Sequence, residues 1–383
     1  MCKMKRILVL LLILAGGCKE KYMAKINAPA SGFLVVEGMI NAGTGPTNIS
    51  LTRVSSLEHV STIYEAGAEI EVQSSAGASY PLTEQNTGRY SIDQVPVDPG
   101  QQYRLHIKTS DGQDYLSDYA DVKISPPIDS VSWVTEPDQV RINVTTHDDD
   151  NKSVYYQWQY EETWKYESSF ISNFIVDSLG PESYVIVTRP PNMKLPKTCW
   201  ITDTSTRFIL ASSAKLHQDI IDQFPVNVIS YAGSNRLIQR YSILVKQFVL
   251  SEDEYNWKQK LQKNTEQLGS IFDAQPSETG GNIHAVSDPA AKVIGFIGCG
   301  SVTMKRIFID RSQLPSVTIN TGFLDCEIGQ NILGLYDPRQ DYYEQSDKIV
   351  IIQYVPGEID DAPIDCVDCR KRGGVPDPPD FWQ

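Results

Sequence analysis

The sequence predicts a mainly β protein, with tandem β-sandwiches of the immunoglobulin or fibronectin kind and one helical insertion in the second domain. Three observations carry this. Apolar and polar residues alternate over short runs, turn chemistry interrupts them roughly every ten residues, and only one long stretch has helical periodicity.

The chain opens on a leader. Met1–Arg6 carries Lys3, Lys5 and Arg6, Ile7–Leu14 is apolar, and Ala15-Gly16-Gly17 stands directly before Cys18. A basic start, a short apolar run and small residues at the cut form a secretory signal, too short to remain as a membrane span. The cysteine after the small residues makes it a bacterial lipoprotein signal. The expectation is a signal peptide over 1–17, with acyl chains on the thiol and, after cleavage, the amine of Cys18. Several chains at ~0.8 kcal/mol per buried methylene anchor a protein to a membrane. Residues 18–31 are polar and read as the tether.

Strand signals then come in series. Phe33–Ile40 is apolar and β-rich, Gly43-Thr44-Gly45-Pro46 is a turn, and Ile49 and Leu51 alternate with polar neighbours. Ala68–Val72, Tyr90 with Ile92, and Tyr103–Ile107 continue the series, with Asp111-Gly112 a hairpin signal before Tyr115. These define an N-terminal sandwich over 32–125. Pro126-Pro127 marks the boundary to a second β-domain over 126–325.

The second domain begins with strands at Val131–Val134 and Val140–Val144. The acidic run His147–Asn151 between two strands lacks the glycine and closing glutamate of an EF-hand loop and reads as a solvated turn. In Val154–Tyr166 the residues Tyr156, Trp158, Tyr160, Trp164 and Tyr166 share one face, which Glu162 alone interrupts. Such a row reads first as a sandwich core. As a binding platform the strand would offer Trp164 and Tyr166 from this row, and Tyr155 from the other face, as ligand-facing aromatics. Further strands are expected at Tyr184–Thr188, Arg207–Leu210 and Tyr241–Leu250. Ser251 with Glu254 three residues on is a helix start, and Trp257, Leu261 and Leu268 place a helix at about 252–268. Val293–Ile297 and Met304–Ile309 are expected to form a hairpin completing the second sheet. Residues 326–383 form a C-terminal extension, in which Ile349–Tyr354 is a last strand and the prolines, aspartates and glycines after 356 leave no regular element.

Charge and cysteines bound the function. Lys and Arg number 34 against 48 Asp and Glu, a net charge of −14, and loss of Lys3, Lys5 and Arg6 with the leader leaves 31 against 48, or −17. Such a surface repels phosphate backbones, so nucleic acid is set aside as a partner. Cys2 leaves with the leader and Cys18 is acylated. Outside the cytoplasm the remaining thiols tend to pair. Cys366 and Cys369 have CxxC spacing but lie in a Pro/Gly/Asp-rich tail without clustered histidines, so structural disulfides are favoured over zinc or redox chemistry. Cys326 and Cys199 are their candidate partners, and Cys299, beside an apolar strand, is expected to be a buried free thiol. A tail ending in Phe381-Trp382 and stapled this way is expected to be ordered on the second domain.

No GxSxG elbow, HExxH, Walker loop or dinucleotide fingerprint occurs, so the expectation is no enzyme, no cofactor and no metal. Two carboxylates suffice for a glycosidase, so a lipid-anchored surface hydrolase is the alternative, with an adhesin beside it.

Six sets of residues remain: Leu34-Val35-Val36-Glu37-Gly38, Gly88-Arg89-Tyr90 through Pro99-Gly100-Gln101-Gln102-Tyr103, Ile128-Asp129-Ser130-Val131, Phe272-Asp273-Ala274-Gln275-Pro276 with Gly281-Asn282-Ile283, Ile294-Gly295-Phe296, and Cys366-Val367-Asp368-Cys369-Arg370 with Asp380-Phe381-Trp382. In this order they resemble a family of Bacteroidetes outer-membrane lipoproteins, domain-of-unknown-function family 4249. The resemblance implies an extracytoplasmic β-sandwich lipoprotein of the outer membrane, often encoded beside TonB-dependent transporters, and supplies no catalytic residues. On that basis the chain is expected to be an accessory or binding protein working with such a transporter in uptake of a ligand. Lys19-Glu20-Lys21 only partly matches the acidic run that sends such lipoproteins to the cell surface.

Overall fold

The structure, a computed structural model, describes residues 33–54, 63–181, 183–266, 280–288, 291–316, 326–332 and 338–382. The expected leader, Cys18, the expected tether, and Leu268 of the expected helical stripe lie outside the described residues. The fold is mainly β, as the alternation predicts. In chain order the first body contains β1 (Phe33–Gly38), β2 (Ile40–Asn41), β3 (Thr47–Val54), β4 (Ile63–Tyr64), β5 (Glu69–Ser74), β6 (Ser79–Asn86), β7 (Arg89–Ile92), β8 (Gln102–Lys108), β9 (Asp114–Ser117) and β10 (Ala120–Lys123). Its pairings run in the order β10-β8-β5-β6-β7-β3-β1, antiparallel throughout. Period-2 alternation sends Leu34, Val36, Ile70, Val72, Leu105 and Ile107 into one core, each almost fully buried.

The second body contains β11 (Ile128–Thr135), β12 (Gln139–His147), β13 (Tyr155–Glu167), β14 (Phe174–Gly180), β15 (Ser183–Thr188), β16 (Thr198–Thr204), β17 (Ile209–Ser212), β18 (Ile220–Ser230) and β19 (Arg240–Val249), followed by helix α1 (Glu252–Glu266). A sheet of β11-β12-β18 faces a sheet built on β16, β13 and β19. Val140, Ile142 and Val144 meet Tyr156, Trp158, Ile243 and Val245 between them. At the joint with the first body, Gln247 is fully buried. It accepts from Trp158 Nε1 (3.0 Å) and donates to the carbonyl of Pro126 (3.0 Å) and to Thr146 Oγ1 (3.1 Å). A buried amide with these partners satisfied fixes where the chain leaves the first body.

The chain then returns. Strands β20 (Ile283–Ala285), β21 (Val293–Ile294) and β22 (Cys299–Gly300) all pair with the first body, β20 with β9, β21 parallel to β1, and β22 parallel to β2 and β10. Only β23 (Val302–Asp310) joins the second sheet, antiparallel to β19. The expected hairpin of 293–297 with 304–309 does not form. Ile283, Val293, Ile297 and Cys299 instead fill the first core. Gly295 permits the passage: its φ is +155°, and a Cβ there would lie 2.4 Å from the carbonyl oxygen of Val36.

The C-terminal extension contains β24 (Gly329–Ile332), helix α2 (Arg339–Glu344), β25 (Ile349–Val355) and β26 (Glu358–Pro363), with sheet order β24-β26-β25. Regular structure therefore runs past residue 356, because Gly357 at φ +99° turns the chain into a hairpin. The hairpin β14–β15 packs on this sheet through Val176, which joins Tyr342, Ile351 and Ile359 in a separate small core. Disulfides join Cys199 to Cys369 and Cys326 to Cys366. Val375 bridges to Trp200, and Trp382 packs edge-on to Trp200 and Phe308. Phe381 lies under the guanidinium of Arg306, 3.5 Å from ring centroid to Cζ. The two terminal aromatics thus sit on the outward face of the second sheet.

Candidate functional site

A cleft of about 610 Å³ opens between the two β bodies. Its floor is the outward face of β19 and its neighbours. Along β19, Tyr241, Ile243, Val245, Gln247 and Val249 point to the core, so Lys246 and Phe248 point out. Gln159 of β13 and Met304 of β23 flank them, paired in register with Lys246. One wall is α1, and the other is formed by β1 and the turn before β3, with Phe296 at the end.

The helix stands where it does for local reasons. The Glu254 amide donates to Ser251 Oγ at 3.2 Å, the cap expected at this helix start. The Glu254 carboxylate does not return the contact. It pairs with Lys258 Nζ at 2.8 Å, one turn on, and that ammonium also donates to Gln157 Oε1 of β13 at 2.6 Å. Gln262 Nε2 donates to the carbonyl of Phe208 at 2.7 Å, and Tyr255 packs on Tyr155 with ring centroids 5.0 Å apart. These contacts pin α1 along the edge of the floor and leave Trp257 and Leu261 toward the cleft, with Trp257 5.9 Å from Phe296. Gly298 leaves room for Glu254: a Cβ there would meet Glu254 Oε2 at 2.5 Å. Cys299, free and buried, lies behind the wall, and burial pushes its thiol up to about 12, so it is neutral and inert at physiological pH.

The structure does not bring the sequence-derived candidate aromatics together as a platform. Trp164 and Tyr166 are buried in the second core. Tyr155 faces the other way, half-covered by Tyr255. The offering of Trp164 and Tyr166 as ligand-facing residues is corrected on this ground: the period-2 alternation that aligns them also turns them inward. Glu162, the exception on that face, is buried with them. It accepts from Tyr241 OH (2.8 Å), Arg236 Nε (2.8 Å) and Asn227 Nδ2 (3.2 Å), and the Arg236 guanidinium lies over the Trp164 ring at 4.6 Å. Tyr160 OH completes the network by donating to Asn227 Oδ1 at 3.0 Å. Burial raises the Tyr241 hydroxyl well above the usual phenol range, and the Glu162 charge adds to the effect, so it stays a donor.

The acidic turn at His147–Asn151 is closed by Asp148, whose carboxylate accepts the amides of Asp150, Lys152 and Ser153. Among the described residues no group of three or more His, Cys, Asp or Glu is placed to hold a metal. None of their helices is long and apolar enough to cross a membrane. Cleft residues Phe208, Lys246, Phe248 and Met304 were not singled out from the sequence. The sequence marks 241–250 only as a long apolar run, and with Gln247 inward and Leu244 and Phe248 outward no alternation shows which side chains face the cleft.

Fold and geometry together define a mainly β protein of two joined bodies with a cleft between them. Residues 19–306, well over half of the chain, match the family described as Domain of unknown function (DUF4249), and the chain belongs to that family. Comparison with curated protein sequences finds no match. Among solved structures it is similar to chitinase ChiA74 from Bacillus thuringiensis, at 12% identity and a TM-score of 0.14, over 49% of this chain and 30% of that one. It is likewise similar to the Yersinia pseudotuberculosis adhesin InvE, at 12% identity and a TM-score of 0.15, over 56% of this chain and 54% of the adhesin. The chain spans less than two thirds of either neighbour, and at such scores neither neighbour's activity is carried over.

Proposed function

We propose that this protein is a lipid-anchored accessory protein of the outer membrane. It captures a ligand in the cleft between its β bodies and works with a TonB-dependent transporter in that ligand's uptake. The observation that carries the reading is the cleft itself, about 610 Å³ with half-buried aromatic side chains and a helix wall tied to β13 through Lys258 and Gln157, within the usual size of ligand sites. The leader supports the anchoring half: a basic start, Ile7–Leu14 and Ala15-Gly16-Gly17 before Cys18 direct acylation to one sulfur. The family resemblance supports the transporter half.

Crosslinking in cells, followed by gentle membrane extraction, tests it. The expected result is a complex with an outer-membrane transporter, lost in the Cys18→Ser protein along with membrane association. Recovery of the monomer alone under every nutrient condition overturns the transporter reading. A Cys18→Ser protein that still partitions as a mature acylated species overturns the anchor.

A further inference from the structure

We infer that the cleft between α1 and the floor of β19 and β23 binds an uncharged amphiphile, a molecule with an extended apolar body and few hydrogen-bonding groups. The inference deepens the proposed ligand-capture function and rests on it for its biological meaning, but its chemistry follows from the cleft alone.

Charge comes first. In a chain of net charge −14, the charged residues lining this cleft are Glu37 and Glu254 against Lys246 and Lys258, which cancel. Glu254 and Lys258 also neutralise each other directly at 2.8 Å. A site for an anion or a cation concentrates one sign of charge, and this one does not.

Polarity comes second. Of the four side-chain amides in the lining, Asn41 is committed to the protein and Gln157 half so, which leaves Asn48, Gln159 and the Gln157 amino group for the few polar groups of a ligand. Asn41 Nδ2 donates to the carbonyl of Gly45 at 3.1 Å and its Oδ1 accepts the amide of Gly43 at 2.9 Å, while Gln157 Oε1 is taken by Lys258. A ligand dense in hydroxyls, such as a neutral oligosaccharide, gives up more hydrogen bonds to water on entry than these three side chains can replace. The surfaces left are those of Phe208, Phe248, Phe296, Leu261 and Met304, together with the Trp257 ring. Phenylalanine rings carry no polar edge group, and methionine adapts its unbranched chain to irregular apolar shapes. Met304, 54% exposed, adds its side chain to this apolar surface.

The test uses the whole mature chain as the Cys18→Ser protein, free of detergent and membrane, so its outcome does not depend on anchoring or on a transporter. The probe is N-phenyl-1-naphthylamine, an uncharged aromatic amine whose emission rises in apolar surroundings. The expected result is saturable enhancement that maltohexaose does not displace. Phe248→Ala is expected to abolish it, and Met304→Gln, at a side chain exposed enough to leave folding untouched, to weaken it about tenfold, a change of about 1.4 kcal/mol. Absence of saturable enhancement, enhancement unaltered in both variants, or displacement by maltohexaose overturns the inference. Failure of the crosslinking experiment with success here removes the transporter and keeps the ligand class.

Discussion

Replacing Glu162 by Gln tests the buried polar network most directly. Its side chain is 5% exposed and takes three donors, from Tyr241, Arg236 and Asn227. Gln keeps the volume but removes the charge and turns one acceptor into a donor that faces donors. Removing one partner of a buried ion pair costs about 3–5 kcal/mol. Arg236 is only partly buried, however, and keeps Asp203 at 3.1 Å, so solvent and that second carboxylate offset part of the loss. The expected destabilisation is about 2–3 kcal/mol. Urea unfolding followed by tryptophan fluorescence reads it, since Trp158 and Trp164 lie in the same core. With a slope near 2–3 kcal/mol per molar, the midpoint of that transition should fall by about 1 M. Tyr241→Phe should cost about 1–2 kcal/mol, and the double variant less than the sum, because the two side chains share one bond. A Glu162→Gln midpoint within about 0.2 M of the parent refutes the reasoning.

Glu71 should make stability pH-dependent. Hydrogen bonds from Ser79, His106 and Gln73 hold its carboxyl down at about 2, against an ordinary 4.5. Its contribution is therefore complete above the unfolded value and lost as pH falls from about 4.5 through about 2. The gap in melting temperature between parent and Glu71→Gln should be flat above pH 5 and close toward pH 2, and a gap constant across that window refutes it. Peptide mapping without reduction should recover Cys199 linked to Cys369 and Cys326 linked to Cys366, whereas a Cys366–Cys369 link refutes the staple. The sequence separations of 170 and 40 correspond to about 5 and 4 kcal/mol of loop-closure stabilisation in the chain-entropy model. Cys299 should react with a thiol reagent at pH 8 only after denaturation, because it is buried and its thiol is pushed up to about 12.

Local pattern made much of this legible. The alternation in Tyr103–Ile107 places a strand and its inward face, since a two-residue period leaves each residue one choice of side, whereas the apolar run Tyr241–Leu250 marks a strand without marking its faces. Ser251 marks the start of α1 because an unpaired amide at a helix end needs an acceptor. Glu162 was visible as the odd residue on an apolar face, although its partners were not. Asn227, Arg236 and Tyr241 reach it from β18, the loop after it and β19. Contacts over such separations leave no periodic trace.

The sequence by itself determined the β class, the start of the helix and which cysteines were available to pair. Each follows from residues within a few positions of one another, where backbone sterics and side-chain alternation act. Only the tertiary structure decided that residues 283–300 cross back to finish the first core, and that Cys199 reaches Cys369 across 170 positions. It also decided that the apolar outward residues of β19 and β23 face a helix across a cleft. A short strand such as Val293–Ile294 is apolar enough for either sheet. What assigns it is the space beside Val36 that Gly295 alone can pass, a property of the packed bodies and not of the segment.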